Sequence, residues 1–320
     1  MKLIIQIPCY NEGETLPVTL KELPREVEGF DKVEWLIIDD GSTDNTVEVA
    51  KAHGVDHIIR FTKNQGLAKG FMAGVDACLR LGADVIVNTD ADNQYNAKDI
   101  PKLVRPILEG KADIVIGTRP IEEIKHFSLM KKFLQKLGSW AVRIASKTDI
   151  PDAPSGFRAM RRDAAMHLNV FNEYTYTLET IIQAGQKGMA VVSVPIRTNE
   201  DLRPSRLVKN IPHYIIKSIL TIIRIFMTYR SFRFFAIPGI ISFSLGVLIG
   251  IRFTYFYFTI GGRGHIQSLI LAALLLGTGF SLCVIGLIAD LISVNRKLLE
   301  KLDWRIQKME EKLDEKIETE

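Results

Sequence analysis

Two carboxylates and an amide occupy alternate positions in the segment TDADNQY, residues 89–95, directly after the apolar run ADVIVN. In an extended chain alternate side chains point the same way, so Asp90, Asp92 and Gln94 can face one point. Hard divalent cations prefer oxygen ligands, and Mg²⁺ typically binds one or two carboxylates and completes its coordination with water and substrate phosphate. The segment therefore predicts a Mg²⁺ or Mn²⁺ site suited to a bound diphosphate, although Asp-x-Asp alone is a pattern that chance often supplies.

The elements that must position this segment alternate through the first 118 residues. The apolar runs LIIQI, VEWLII, DHIIRF, DVIVN and DIVIG predict five strands, and helices are predicted over 15–23, 43–53, 68–81 and 97–109. Apolar strands in strict alternation with helices indicate a doubly wound α/β fold with a mostly parallel sheet. Ligands bind beyond the carboxyl ends of such strands. The clusters CYNEGE, DDGSTD, TKNQGLAKG and TDADNQY each follow a run, so we expect one shared site, although any single cluster could be an ordinary polar loop.

The cluster DDGSTD predicts part of a base pocket. Asp39 or Asp40 could accept the imide N–H of a uracil or the N–H groups of a guanine, while Ser42 or Thr43 caps the following helix. The segment NQGLAKG, with Gly66, predicts a turn into a helix N-terminus that lets the backbone approach a ligand, or else a simple turn. The candidate nucleotide-binding residues are Pro8, Tyr10, Asn11, Glu12, Asp39, Asp40, Asn64, Lys69, Asp90 and Ala91.

Two segments near the C-terminus, 234–251 and 266–289, carry no charge. A hydrocarbon layer of about 30 Å needs about 20 apolar residues as helix, so both predict transmembrane helices, the first extending past Arg252. A buried core hairpin is the alternative. Gly246 and Gly250 form a GxxxG pattern that is compatible with helix packing. The positive-inside rule places both termini and the α/β domain in the cytoplasm. The flanking cations are Arg224, Arg230, Arg233, Arg296, Lys297 and Lys301.

These patterns predict four parts of the chain. They are an α/β domain over 1–205, interfacial amphipathic helices over 206–233, two transmembrane helices over 234–290 and a charged amphipathic tail over 291–320. The cations crowded between 197 and 233 suit a membrane surface better than a nucleic acid, given the apolar segments that follow. The tail repeats apolar residues at spacings of four and three, which is compatible with a coiled-coil seam and a homo-oligomer. Three widely spaced cysteines without CxxC indicate a reducing compartment.

Six motifs in order carry a resemblance: IPCYNE, DDGSTD, NQGLAKG, TDADNQY, GTR and DAPSGFRAM. Over about residues 1–210 the chain resembles family-two glycosyltransferases of the GT-A fold, and most of all the dolichol-phosphate mannose synthase group of polyprenyl-phosphate glycosyltransferases. The resemblance implies that Asp90, Asp92 and Gln94 hold the metal and the donor, and that Arg119 binds phosphate. It also implies a nucleoside site formed by Pro8, Tyr10, Glu12, Ile37 and Asp39.

The acceptor implied by this group is a lipid phosphate. A sugar hydroxyl needs a positioned base, whereas a lipid phosphate is already anionic at neutral pH and needs cations to position it. Arginine suits this task because its fork donates two parallel hydrogen bonds. The candidate residues for the diphosphate and the lipid phosphate are Arg119, Lys131, Lys132, Arg143, Arg158, Arg203 and Arg206. Lys131 and Lys132 could equally lie on a solvated helix face.

Two carboxylates remain as possible bases. Asp152 opens the motif DAPSGFRAM, where it could act at the reaction centre or orient Arg158 through an ion pair, and Glu179 has less claim. The group often carries a Gly and a Ser-Lys after the last strand, whereas this chain has EDLRPSRLVKN. Arg203 or Arg206 could replace that lysine.

Together these features predict a metal-dependent, inverting transfer of a hexosyl or N-acetylhexosaminyl group from a UDP- or GDP-sugar to a polyprenyl or dolichyl phosphate at the cytoplasmic leaflet. One alternative is a polysaccharide-extending membrane glycosyltransferase, but such enzymes carry a QxxRW motif and no Gln in this chain begins one. Another alternative is a non-catalytic membrane scaffold whose sheet binds nucleotide.

Overall fold

A computed structural model describes residues 1–120, 129–170, 176–200, 211–261 and 266–319. The described strands are β1 (Lys2–Cys9), β2 (Lys32–Asp39), β3 (His57–Arg60), β4 (Val85–Asn88), β5 (Ile114–Thr118), β6 (Arg158–Arg161) and β7 (Val191–Pro195). They form one sheet in the order β3-β2-β1-β4-β6-β5-β7. Within this sheet β6 runs antiparallel to both of its neighbours and the other pairs are parallel, which confirms the predicted mostly parallel sheet.

The helices of the sheet domain follow the predicted alternation. They are α1 (Leu16–Glu22), α2 (Thr46–Ala52), α3 (Leu67–Arg80), α4 (Ile100–Leu108), α5 (Leu129–Ser146), α6 (Arg162–Met166) and α7 (Thr177–Gln186). Two predicted starts differ. The predicted helix over 97–109 opens as a 3₁₀ turn, Ala97–Asp99, in which the Asn96 side chain accepts a hydrogen bond from the Lys98 N–H. The helix predicted from residue 43 begins three residues later, because Ser42 and Thr43 are engaged with the first loop.

Both faces of the sheet are covered, as continuous apolar strands require. Alternate β1 residues Leu3, Ile5 and Ile7 belong to a fully buried cluster that includes apolar side chains of α1 and α4. On the opposite face, Gly74 of α3 lies so close to Gln6 that an added Cβ would meet its amide oxygen at 2.5 Å. The helices therefore fix the sheet, and the sheet presents the carboxyl ends of its parallel strands at one edge.

The antiparallel strand β6 brings a further segment to this edge. Asn88 at the end of β4 pairs with Arg158 at the start of β6. The residues just before Arg158, which belong to the motif DAPSGFRAM, therefore arrive beside the segment that follows β4.

The chain divides into two compact units, residues 1–220 and 221–320. The remaining helices are α8 (Ile211–Tyr229), α9 (Ser231–Ile260) and α10 (Ile266–Thr319). By length and composition, Ser231–Thr259 and Ile266–Ile306 could each cross a membrane. The charged tail predicted over 291–320 continues the same helix, α10, up to Thr319.

Close packing of α9 on α10 does not use the predicted GxxxG pair. An added Cβ at Gly246 would lie 2.9 Å from Leu276 Cγ, but one at Gly250 would meet none of the described residues within 4 Å. Gly279 makes the other close approach, since its added Cβ would lie 2.6 Å from the Phe243 nitrogen and 2.8 Å from the Gly239 oxygen. The glycines that bring these two helices together are therefore Gly239, Gly246 and Gly279, which permit close backbone contact.

Candidate active site

The acidic segment forms a tight turn beyond β4. The Gln94 N–H donates to Asp92 Oδ1 at 3.1 Å, and Asn93 adopts a φ of +57°, which asparagine tolerates better than most residues. Asp90, Asp92 and Gln94 are each partly exposed. Asn199, just after β7, holds the turn from outside: its N–H donates to the Gln94 carbonyl at 2.9 Å and its side-chain amide to the Asn93 carbonyl at 3.0 Å.

The two carboxylates of this turn interact strongly. Burial, and next the charge of Asp92, raise the pKa of Asp90 to about 7, against the opposing positive charges of Arg119 and Arg158. A cation beside the pair would relieve this repulsion and favour the ionised form.

The donor set fits a divalent cation of the Mg²⁺ or Mn²⁺ type that is completed by substrate oxygens. It offers two carboxylates and one amide, all oxygen donors, at a partly exposed turn. Within the described ranges no cluster of three or more His, Cys, Asp or Glu side chains could hold a metal by itself. Asp90, Asp92 and Gln94 therefore suit a shared metal–diphosphate site rather than an all-protein cage.

Arg119, just after β5, is held rigidly beside this turn. Its Nε donates to Asp152 Oδ2 at 2.8 Å and its Nη2 to Asp152 Oδ1 at 3.0 Å, while its Nη1 lies 3.5 Å from Gln94 Oε1. Asp152 is fully buried. The suggested pairing of Asp152 with Arg158 is therefore wrong: both carboxylate oxygens face the guanidinium of Arg119, a bidentate arrangement.

Arg158 does not lie on a phosphate-accessible surface. The side chain is fully buried, and its guanidinium donates to the carbonyls of Thr177 and Ser155 and to Thr180 Oγ1. The prediction that Arg158 contacts the diphosphate or lipid phosphate is not supported by this placement, because a direct contact needs an exposed donor. Its charge acts on Asp90 from within the domain.

The first two loops interlock at the predicted nucleoside side. The Asn11 N–H donates to Ser42 Oγ at 2.9 Å, and the Thr43 N–H donates back to Asn11 Oδ1 at 2.8 Å. The residue before α2 is Asn45, which makes no side-chain capping bond, so the predicted cap by Ser42 or Thr43 is wrong. The side chain of Asp44 caps the start of α2 instead, because its Oδ1 accepts from the Thr46 N–H at 3.1 Å.

The structure separates the two aspartates that were candidates for base recognition. Asp40 accepts the Gln65 N–H at 2.7 Å on one oxygen and the Gly66 N–H at 2.9 Å on the other, so it shapes the turn into α3. Asp39 accepts the Ser42 N–H at 3.0 Å, and its other oxygen lies 3.1 Å from Arg60 Nε. Asp39 is fully buried as well, but its Oδ2 accepts no hydrogen bond from any described residue, so Asp39 is the better candidate for a base contact.

The other nucleoside candidates differ in exposure. Ile37 is fully buried in the core cluster, so its side chain does not line an open surface. Ala91 is buried too, and its carbonyl accepts from Thr19 Oγ1 at 2.8 Å. Tyr10 is 41% exposed and can cover a flat ring. The remaining candidates are the partly exposed Pro8, the buried Glu12 and the exposed Asn64 and Lys69.

Several phosphate candidates cannot be placed beside this turn. Arg203 and Arg206 lie outside the described residues, as do the side chains of Lys131 and Lys132 on α5. Arg143 is exposed on α5 and its Nη1 lies 3.4 Å from Asp149 Oδ1. Glu179 is a buried residue in the first turn of α7.

Sequence reasoning missed a buried polar network beneath Asp90. The Gly156 N–H donates to the Tyr95 hydroxyl at 2.9 Å, and Asn88 Nδ2 donates to both the Gly156 carbonyl and the Tyr176 hydroxyl at 2.9 Å. Gln6 Nε2 donates to Asn88 Oδ1 at 3.0 Å. Polar Gln6 and Asn88 inside otherwise apolar strands were the available signal, because a buried polar side chain needs a partner.

The comparisons place this geometry in a family. The family model "Glycosyl transferase family 2" matches residues 4–168. Undecaprenyl-phosphate mannosyltransferase of Micrococcus luteus is 31% identical over 206 residues, which cover 61% of this chain and 83% of that protein. Dolichol-phosphate mannosyltransferase of Pyrococcus furiosus is 29% identical over 275 residues, which cover 82% of this chain and 74% of that protein.

Solved structures share the fold. Glucosyl-3-phosphoglycerate synthase from Mycobacterium tuberculosis, in complex with Mn²⁺, uridine diphosphate and phosphoglyceric acid, aligns with a TM-score of 0.54 at 18% identity, over 69% of this chain and 78% of that one. The fold, the acidic turn beyond β4 and the family match agree, and the chain belongs to glycosyl transferase family 2.

Proposed function

We propose that the protein transfers a sugar from a nucleotide-diphosphate sugar to a polyprenyl or dolichyl phosphate at the cytoplasmic leaflet of a membrane. The observation that carries the proposal is the turn with Asp90, Asp92 and Gln94, with Arg119 clamped beside it by Asp152. The names of the relatives support a lipid-phosphate acceptor and a mannosyl group. The helices α9 and α10 support membrane attachment.

The donor diphosphate is the group that this arrangement would hold. Asp90, Asp92 and Gln94 would hold a divalent cation, which when bound supplies positive charge to the leaving diphosphate. Arg119 offers a fixed positive charge on the same side. Its bidentate pairing with the Asp152 carboxylate restricts rotation of the guanidinium. Asp39 and Tyr10 would contact the uracil or guanine base.

The transfer would be a single displacement. An oxygen of the lipid phosphate forms a bond to the anomeric carbon, the bond from that carbon to the donor diphosphate breaks, and the electron pair leaves with the nucleoside diphosphate. Attack from the opposite face inverts the anomeric configuration. A lipid phosphate is already an anion, so this step needs no general base. We therefore assign Asp152 as the positioning residue of Arg119, and Lys131, Lys132, Arg203 and Arg206 as candidate contacts of the acceptor phosphate.

The test is a donor panel on membranes that contain the full-length protein. Radiolabelled GDP-mannose, UDP-glucose, UDP-N-acetylglucosamine and a UDP-uronic acid are each supplied with a polyprenyl phosphate, with and without a chelator. We expect one donor to give an organic-extractable glycolipid, and the chelator to abolish it. A label that enters only a polymer would favour the polysaccharide-extending alternative, and nucleotide binding without any product would favour the scaffold.

A further inference from the structure

Gly156 occupies a crowded position beneath the acidic turn. An added Cβ there would lie 3.0 Å from the Tyr176 hydroxyl and 3.1 Å from each carboxylate oxygen of Asp90. These separations are shorter than ordinary van der Waals contact, so any side chain at this position must displace a neighbour by a few tenths of an ångström. Gly156 is not among the glycines with positive φ, so its backbone conformation does not itself require glycine.

The backbone of Gly156 cannot easily move aside. Its N–H donates to the Tyr95 hydroxyl at 2.9 Å and its carbonyl accepts from Asn88 Nδ2 at 2.9 Å. Both bonds are buried, and breaking either would leave a buried polar group without its partner.

Tyr176 is equally constrained. Its ring stacks on Phe71 with centroids 3.8 Å apart and planes 6° from parallel, and its hydroxyl accepts from Asn88 Nδ2. Asp90, by contrast, is a partly exposed residue, and its carboxylate also interacts with the Tyr95 side chain. Of the groups that an added Cβ would meet, Asp90 is therefore the one that can yield.

We propose that Gly156 is a positioning residue for the metal site: the absent side chain leaves the space in which the Asp90 carboxylate stands. Gly156→Ala would displace this carboxylate from its present position in the turn. Residues that support a metal ligand typically change metal affinity by roughly 10- to 100-fold when they are altered. This inference rests on the proposed metal role of Asp90.

The first experiment measures Mn²⁺ binding to the full-length protein by electron paramagnetic resonance, with uridine or guanosine diphosphate as the added nucleotide. For Gly156→Ala we expect the affinity to fall by about tenfold or more, while the melting temperature without metal falls only far enough to leave the protein folded at the temperature of the assay. Gly138→Ala is the matched control, since an added Cβ at this α5 position meets no atom within 4 Å in the part of the chain that the structure describes. Unchanged Mn²⁺ affinity in Gly156→Ala would overturn the proposal.

A second variant separates the two crowded neighbours. Tyr176→Phe removes the hydroxyl that an added Cβ would meet at 3.0 Å but leaves the Asp90 contact in place. In Gly156→Ala/Tyr176→Phe the loss of Mn²⁺ affinity should persist. Recovery of parental affinity would show that Tyr176 transmits the effect and would overturn the assignment to Asp90.

A thermal-stability cycle tests the contact without any metal. If the Cβ at position 156 presses on Asp90, Gly156→Ala should lower the melting temperature less in an Asp90→Ala background than in the parent protein. Equal losses in both backgrounds would contradict the proposal. This cycle also covers a poorly folding Gly156→Ala variant, because the double variant removes the carboxylate. Should the parent protein bind no Mn²⁺, the proposed function fails while this cycle still decides on the contact.

Discussion

Asp90 and Asp92 are separated by one residue, and both are negative when ionised. Ionisation of either carboxylate therefore makes ionisation of the other less favourable. Burial contributes most to the raised pKa of Asp90, and the charge of Asp92 contributes next. Asp92 also accepts the Gln94 N–H, so it shapes the turn in addition to its proposed role as a metal ligand. At the scale of single residues, a cation bound beside this pair would relieve a repulsion already present in the protein.

The exchange Asp92→Asn tests this directly, because it removes one charge and keeps the shape and the hydrogen-bond acceptor. We expect Mn²⁺ affinity and glycolipid formation to fall by about 100-fold, with little change in the melting temperature without metal. The control is Asp163→Asn, since Asp163 is a surface residue of α6, 3.4 Å from Arg161. Full glycolipid formation by Asp92→Asn with all divalent ions chelated would refute the metal site.

Arg119→Lys keeps the positive charge and removes the planar guanidinium that donates to both Asp152 oxygens. Lysine cannot donate in parallel to both Asp152 oxygens and also reach Gln94, so the charge loses its fixed direction. We expect kcat to fall about 10- to 100-fold with a smaller change in KM. The matched control is Arg105→Lys, which alters an exposed pair with Glu109 on α4. Parental kcat in Arg119→Lys would exclude a role for the fork.

The position of the acidic segment beyond β4 could be predicted from the sequence, but its conformation could not, because it forms a turn rather than the extended chain in which alternate side chains point the same way. The partner of Asp152 could not be predicted from the sequence. Whether Asp152 pairs with Arg119 or with Arg158 depends on the path of the chain after β5 and on the direction of β6. The crowding at Gly156 could not be predicted either, because Tyr176 and Asp90 belong to segments distant from Gly156 in the sequence.

At the scale of elements, the turn beyond β4 is secured by the chain that leaves β7. Thr198 bridges to Tyr95, and the Asn199 side chain reaches the carbonyl of Asn93. Arg197 is linked to the 3₁₀ turn Ala97–Asp99 through the Asp99 carboxylate. This carboxylate accepts hydrogen bonds from the Arg197 N–H and from Arg197 Nη2, each at 2.7 Å. The strands and helices could be predicted from alternation of apolar runs, whereas these cross-connections join residues about a hundred positions apart.

The Asp99 tie predicts a pH dependence of stability. Burial opposes ionisation of Asp99, but hydrogen bonds from Arg197 and Lys102 outweigh it and lower the pKa to about 2. Because the folded-state pKa lies below the unfolded value, the contribution is fully present above about pH 4 and is lost as the pH falls toward 2. Its size should be about 1–2 kcal/mol, since both cations are half exposed and partly screened.

The measurement is thermal unfolding of the parent and of Asp99→Asn between about pH 6 and pH 3. The parent should lose more stability over this interval than the variant, because only the parent carries a carboxylate that becomes protonated at position 99. Glu34, whose pKa is also about 2, titrates in both proteins and cancels in the comparison. Parallel curves would show that Asp99 adds nothing to the pH dependence.

At the scale of the whole molecule, the distribution of charge along the chain is what bears on orientation. Cations precede α9 at Arg224 and Arg230 and recur on α10 at Arg296 and Lys301, after the apolar stretch. Positively charged flanks are retained on the cytoplasmic side of membranes, so two spans would return the chain to the side where it began. The donor nucleotide sugar and the sheet domain would then share the cytoplasm.

Single cysteines can test this orientation. In a background with Cys283→Ala, the remaining Cys9 and Cys78 are buried and should react slowly with a membrane-impermeant maleimide. Lys51→Cys adds a thiol at an exposed position of α2, and Arg263→Cys adds one in the connection between α9 and α10. In intact spheroplasts we expect the reagent to label position 263 and to label position 51 only after lysis. Labelling of position 51 before lysis would place the sheet domain outside the cell, where it would have no access to a cytoplasmic nucleotide sugar, and would require a different donor or a different function.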